Sequence, residues 1–156
     1  MRKVLLAVAA VSALAATPAL ANEGRVEARG GVIWFGNGGG SEDVWGVAAG
    51  YDFDLGSSAF AGLEASGDIV GATGSKVAFG FSGRLGTKLG ENTKLFADGG
   101  YTTEPCTGCV DAIHAGVGAE VGFGKNLYGK LGYRHYFTSN GAPDSNAVVA
   151  GLGVKF

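Results

Sequence analysis

The chain has 156 residues, a formal net charge of −2, thirty glycines, three prolines and a single methionine, Met1. That length holds one domain and not two, and the lack of a basic cluster argues against nucleic acid as a partner. Glycines spread through alternating segments argue against a flexible linker and against a soluble α/β domain, and for crowded β structure.

In chain order, Arg2 and Lys3 precede an apolar run from Val4 to about Ala16, then Thr17-Pro18 and the small-residue site Ala19-Leu20-Ala21. The run is shorter than the roughly 18 to 20 residues of a spanning helix, so the pattern predicts a cleaved secretory signal peptide over residues 1–21. Removing 21 of 156 residues leaves 135, residues 22–156, with ten Lys and Arg against fourteen Asp and Glu. No later segment is apolar for long enough to cross a membrane as a helix, so any crossing must use strands.

Eight alternating segments follow. Arg25 to Trp34 sets Val26, Ala28, Gly30, Val32 and Trp34 against Arg25, Glu27, Arg29, Gly31 and Ile33, which predicts the first strand. The glycine-rich stretch 35–43 is a loop, because neither Lys-Ser/Thr nor a helix follows to make a phosphate cradle. Val44 to Phe53 and Ala59 to Ile69 are the second and third strands, joined by the short turn 54–58. Lys76 to about Lys88, Thr93 to Glu104, Asp111 to Phe123, Leu127 to Phe137 and Asn146 to Phe156 complete the set. Short turns alternate with longer loops, which predicts an up-and-down antiparallel order.

One face of every strand is apolar. The last strand shows it plainly, with Val148, Ala150, Leu152, Val154 and Phe156 on one side. Across all eight such faces there is no Asp, Glu, Lys or Arg, and one histidine, His135. A soluble barrel would place charge outside and apolar groups inside; this chain reverses the order, which predicts an all-β, eight-stranded, antiparallel up-and-down transmembrane barrel. A Lys or Arg on the lipid face at mid-depth costs about 2 to 4 kcal/mol, which accounts for their exclusion. Trp34, Trp45, Tyr101, Tyr133 and Phe137 are expected at the outer rim, and Tyr51, Phe53, Phe123, Tyr128 and Phe156 at the inner one.

The segments Val47-Ala-Ala-Gly-Tyr-Asp-Phe53, Gly116-Val-Gly-Ala-Glu-Val-Gly122, Asn126-Leu-Tyr-Gly-Lys-Leu-Gly-Tyr-Arg134 and Val149-Ala-Gly-Leu-Gly-Val-Lys-Phe156 resemble the small outer-membrane β-barrels that include opacity-type surface proteins and the OmpA-like transmembrane domain. The resemblance covers Arg25 to Phe156. It implies the outer membrane of a diderm bacterium, outer-membrane lipid as surroundings, and barrel-assembly machinery as a partner during biogenesis, with Phe156 as the residue carrying the assembly signal. No cofactor is expected, and, unlike full-length OmpA-type proteins, no periplasmic peptidoglycan-binding domain is expected after the eighth strand.

Twelve charged residues are expected inside: Arg29, Asp52, Glu64, Asp68, Lys76, Arg84, Lys94, Asp98, Glu104, Glu120, Lys130 and Arg134. An eight-stranded barrel is only wide enough for side chains, so these six acids and six bases must pair. Arg29, Glu64, Arg84, Asp98, Glu120 and Lys130 fall at middle to lower depth and are expected to form the central network, with Arg134 beside them. Inward glycines make room for the long side chains. The structural reading, a plug, outweighs an ion path or gate.

Cys106 and Cys109 lie in a Pro-Cys-Thr-Gly-Cys loop. No second pair or histidine cluster completes a metal site, and in an oxidising compartment a local disulfide is expected. His114 points inward and His135 outward. Some eight-stranded outer-membrane enzymes deacylate lipid with an exposed His and Ser two residues apart, whereas the residue two beyond His135 is Phe137, so no enzyme is expected. The sequence thus predicts a structural or surface protein whose loops contact a surface ligand, with a narrow gated porin-like conductor as the alternative.

Overall fold

A computed structural model describes residues 22–139 and 141–156; the signal-peptide reading of residues 1–21 lies outside the described residues. Eight strands run β1 (Glu23–Phe35), β2 (Ser41–Asp54), β3 (Ala59–Val70), β4 (Ala78–Leu89), β5 (Thr93–Thr102), β6 (Ala112–Phe123), β7 (Leu127–Thr138) and β8 (Ser145–Lys155). Each pairs antiparallel with its neighbours in sequence, and β8 returns to β1, closing the barrel. Closure satisfies the backbone of every strand on both edges, a requirement of any sheet surrounded by hydrocarbon.

Glycine at positive φ reverses the chain in the tight turns, as at Gly90 (72°) and Gly124 (77°), a conformation that costs other residues strain. Neighbouring turns are tied in sequence: Gly122 N donates to Asn92 O and Lys155 N to Asn126 O, each at 2.7 Å. Near the first strand's start, Gly24 and Phe156 exchange backbone hydrogen bonds of 2.9 Å in both directions. The longer loops, 36–40, 71–77 and 103–111, and the described residues between β7 and β8 (139 and 141–144) lie at the opposite end.

Alternation sets the faces as the sequence predicts. Leu63, Phe81, Leu85, Val117, Leu131 and Leu152 are exposed, and the buried side chains are mainly charged or polar. Burial of ionisable groups beneath an apolar exterior is the inverse of a water-soluble protein and suits a lipid solvent.

Three expectations need correction. β4 begins at Ala78 and β5 ends at Thr102, so Lys76 and Glu104 are not in the lumen; both are exposed and pair with each other among the loops. Strand alternation continues in the sequence past the edge of the sheet, where Lys76 N donates instead to Pro105 O at 2.8 Å. Tyr128 does not belong to the inner aromatic rim, since it faces the lumen and is buried, with its hydroxyl donating to Glu27 Oε2 at 2.9 Å.

Candidate functional site

The even or odd register of each strand directs its charged residues inward, and the closed barrel packs them against one another. Six cations (Arg25, Arg29, Arg84, Lys94, Lys130, Arg134) and six anions (Glu27, Asp52, Glu64, Asp68, Asp98, Glu120) form one connected set of ion pairs. All seven residues expected in the central network, including Arg134, are among them. Arg25 and Glu27 are additions: they alternate with Arg29 on β1, a signal the sequence carries openly, and both are almost fully buried.

Glu64 on β3 is the hub. Its Oε2 accepts from Arg25 Nη1 at 2.7 Å and Lys130 Nζ at 3.1 Å, and its Oε1 from Arg29 Nη1 at 3.1 Å and Arg134 Nη2 at 3.0 Å. Four cations from β1 and β7 thus share one carboxylate across the barrel. Below it, Asp52 Oδ1 accepts from Arg84 Nε at 2.7 Å and its Oδ2 from Lys94 Nζ at 3.0 Å. Glu120 lies 3.2 Å from Arg84 Nη1, and Lys130 also pairs with Glu27.

A repeated construction makes these contacts fit. In four places an arginine and a carboxylate, two strands apart, flank an inward glycine on the strand between: Arg25–Gly50–Glu64, Arg29–Gly46–Asp68, Asp52–Gly62–Arg84 and Asp98–Gly116–Arg134. The charged side chains lie over the glycine and meet above it. A methyl group at Gly116 would stand 2.5 Å from Asp98 Oδ1 and 2.8 Å from Arg134 Cγ, inside van der Waals contact. The glycine content noted in the sequence is therefore partly a steric condition for the ion pairs.

Aromatic rings and hydroxyls fill the remaining space. The Arg84 guanidinium lies 5.2 Å from the Phe60 ring centroid and 5.1 Å from that of Phe96, within cation–π range. Higher up, buried His114 bridges Ser82 Oγ (2.8 Å from Nε2) and Thr102 Oγ1 (2.9 Å from Nδ1). This Ser–His contact was not expected from sequence, because the two residues are 32 positions apart. Both are buried.

On the outer face, His135 Nδ1 lies 2.8 Å from Asn146 Oδ1, which also accepts from the Tyr133 hydroxyl at 2.6 Å. The ring of His135 meets Phe137 edge-on at 4.5 Å. The nearby Thr138 hydroxyl donates to Ala142 O at 2.7 Å. Among the loops, Cys106 and Cys109 are joined as a disulfide with Cα atoms 5.1 Å apart, and Cys106 forms a β-bridge to Ser75.

A closed antiparallel barrel with an apolar exterior, a paired ionic interior and strands of 10 to 14 residues is a transmembrane β-barrel. The profile of the outer membrane protein beta-barrel domain matches residues 4–156, and the chain belongs to that family. It is thus an outer-membrane protein of a Gram-negative bacterium. Among solved structures it is similar to the N-terminal β-barrel domain of Pseudomonas aeruginosa OprF (12% identity, TM-score 0.59, covering 86% of this chain and 97% of that one). It is similar also to Ail, the attachment invasion locus protein of Yersinia pestis (8%, 0.59, 86% and 98%), and to the outer membrane enzyme PagL (16%, 0.58, 85% and 98%). At these identities the likeness is one of fold. No curated protein matches the sequence.

Proposed function

We propose that this protein is a non-enzymatic structural or surface barrel whose lumen is closed by paired charges and whose loops make contacts at the cell surface or within the envelope. The observation that carries the reading is the Glu64 hub, in which side chains of β1, β3 and β7 meet across the interior. Such a cluster costs desolvation energy and returns it only while every partner is present, so it behaves as a plug. The disulfide between Cys106 and Cys109 then serves to stiffen one exposed loop. His135 engages the Asn146 amide, the Phe137 ring and the Asp144 carboxylate, and among the described residues no hydroxyl nucleophile is hydrogen-bonded to it, which supports the non-enzymatic reading.

A narrow gated conductor is the second reading, favoured by a cavity of about 40 Å³ beside Arg29, Asp68, Asp98 and Arg134, between recesses at the two mouths. Single-channel recording in planar bilayers separates the two. The plug reading expects rare or absent openings; reproducible conductance that changes in Arg29 or Glu64 variants would replace it with the conductor.

Biogenesis completes the proposal. Residues 1–21 are removed on export, and Phe156 presents the last strand to the barrel-assembly machinery. Phe156 is exposed and its backbone is paired with that of Gly24, which leaves its ring accessible. Phe156→Ala is expected to lower the amount of protein in the outer membrane several-fold; unchanged assembly would remove this role from Phe156.

A further inference from the structure

The two mouths of the barrel differ in chemistry. The recess at the turn end, of about 390 Å³, is lined by Glu23, Asp54, Lys88, Lys94, Lys125 and Lys155, as expected for a water-filled opening. The recess at the loop end, of about 270 Å³, is walled mainly by Ile33, Val44, Val70, Ala78, Ala112 and Tyr136, inward residues near the loop-side ends of their strands, with Thr102 and Thr138 between them. Pro105, Cys109 and Val110 of the disulfide loop and Pro143 of the last loop continue the apolar wall upward.

Apolar side chains at the watery end of a lumen gain nothing from the lipid outside and nothing from the ion pairs below. They leave an apolar concavity open to water, the usual setting of a small-molecule site, and its volume lies just under the about 300 to 1,000 Å³ of such pockets. Polar features define the occupant further. Asp68 at the floor is engaged by Arg29 Nε at 2.8 Å, so no free counter-charge awaits a charged ligand. Ser145, at 6% exposure, contributes a hydroxyl to the wall.

We infer that the loop-end cup binds a small, uncharged, mainly aliphatic or aromatic molecule carrying one hydroxyl or carbonyl group that meets Ser145. This goes beyond a surface or plug role and does not depend on whether the lumen conducts.

The test is NMR titration of the barrel in lipid nanodiscs with 1-adamantanol and cyclohexanol, against benzoate and benzylamine as charged controls. The neutral alcohols give saturable amide shifts at Val44, Val70, Ala112 and Ser145, and the charged molecules give none. Ser145→Ala weakens binding about three- to tenfold, the worth of one hydrogen bond. Ala112→Trp fills the cup and abolishes saturation while the heat-dependent gel shift shows the barrel intact; Ala142→Trp fills it from the loop should the strand variant not fold. Non-saturating shifts, shifts that persist in the filled variants, or shifts centred on lipid-facing Val148 and Phe137 overturn the site, the last by identifying plain partition into the bilayer. Shifts at the cup that appear on changing the nanodisc lipid without any alcohol overturn it as well, in favour of an acyl chain.

Discussion

Arg84 and Asp52 meet across Gly62: the guanidinium Nε of β4 donates to the carboxylate Oδ1 of β2 at 2.7 Å, directly over the glycine of β3 that lies opposite both. A side chain at 62 would overlap the Asp52 carboxylate and come within 2.9 Å of Tyr51 O and 3.2 Å of Arg84 Cγ. Neither partner can withdraw freely, because Asp52 also holds Lys94 and Arg84 also holds Glu120. Gly62→Leu is therefore expected to destabilise the barrel by about 1 to 3 kcal/mol through overpacking. The temperature at which the folded band is lost on unboiled gels should fall. Gly83→Ala, where an added methyl meets nothing within 4 Å, should leave that temperature unchanged. Equal behaviour of the two variants would refute the steric role of Gly62.

Glu64 supplies a second expectation. Its removal as Glu64→Ala leaves Arg25, Arg29, Lys130 and Arg134 with one fewer partner each in a buried layer. Breaking a buried pair from one side costs about 3 to 5 kcal/mol, and here one carboxylate serves four cations. Urea unfolding in vesicles should show a loss of this size for Glu64→Ala and a smaller one for Glu64→Gln, which keeps an acceptor oxygen. A loss within about 0.5 kcal/mol, the range of ordinary surface substitutions, would mean the hub carries no stability.

The lumen was legible in the sequence to the extent that a period of two encodes it. Glu64, Arg84, Asp98, Glu120 and Lys130 could be assigned inward one strand at a time, since alternation is a local property. That Glu64 would hold four cations could not, because it depends on how β1, β3 and β7 face one another across a closed barrel. Arg25 and Glu27 share a face with Arg29 and are legible in the same way. Lys76 and Glu104 read as lumenal because the alternating pattern outruns the sheet. Depth alone puts Tyr128 at the aromatic rim, whereas its face sends it to Glu27. The apolar cup is a different case: Ile33, Val44 and Ala78 read as ordinary inward residues until their common height is known.

The exterior yields a depth-dependent expectation. Val117 lies near the middle of β6, outward and exposed between Ala97 and Tyr133, while Phe123 ends the same strand. Val117→Arg should cost about 2 to 4 kcal/mol and Phe123→Arg about 0 to 1, because the second guanidinium reaches headgroups and water. Equilibrium unfolding of both variants in the same vesicles checks the ordering. A reversed order would place the bilayer midplane elsewhere on the barrel.

Asp144, in the loop between β7 and β8, gives a pH dependence with a defined sign. Its Oδ1 accepts from the backbone N–H of Thr138 at 2.9 Å and lies 3.2 Å from the Thr138 hydroxyl, which shares its one proton between this carboxylate and Ala142 O, and its Oδ2 lies 3.5 Å from His135 Nε2. The Thr138 N–H, which favours the ionised form, is the main reason the carboxyl titrates below the usual aspartate range; the Thr138 hydroxyl and His135 act in the same direction. A carboxyl held down in the folded state adds stability that is complete above the ordinary aspartate pKa and disappears as pH falls through the depressed value. The loop contact should therefore persist on mild acidification and loosen only at lower pH. Following the Thr138 amide by NMR during acidification, the transition midpoint should lie below about 3.9, the value of a free aspartate. Asp144→Ala should remove the transition and leave Thr138 in its loosened environment at every pH. A midpoint at or above the free value would show that the Thr138 amide does not hold the carboxylate.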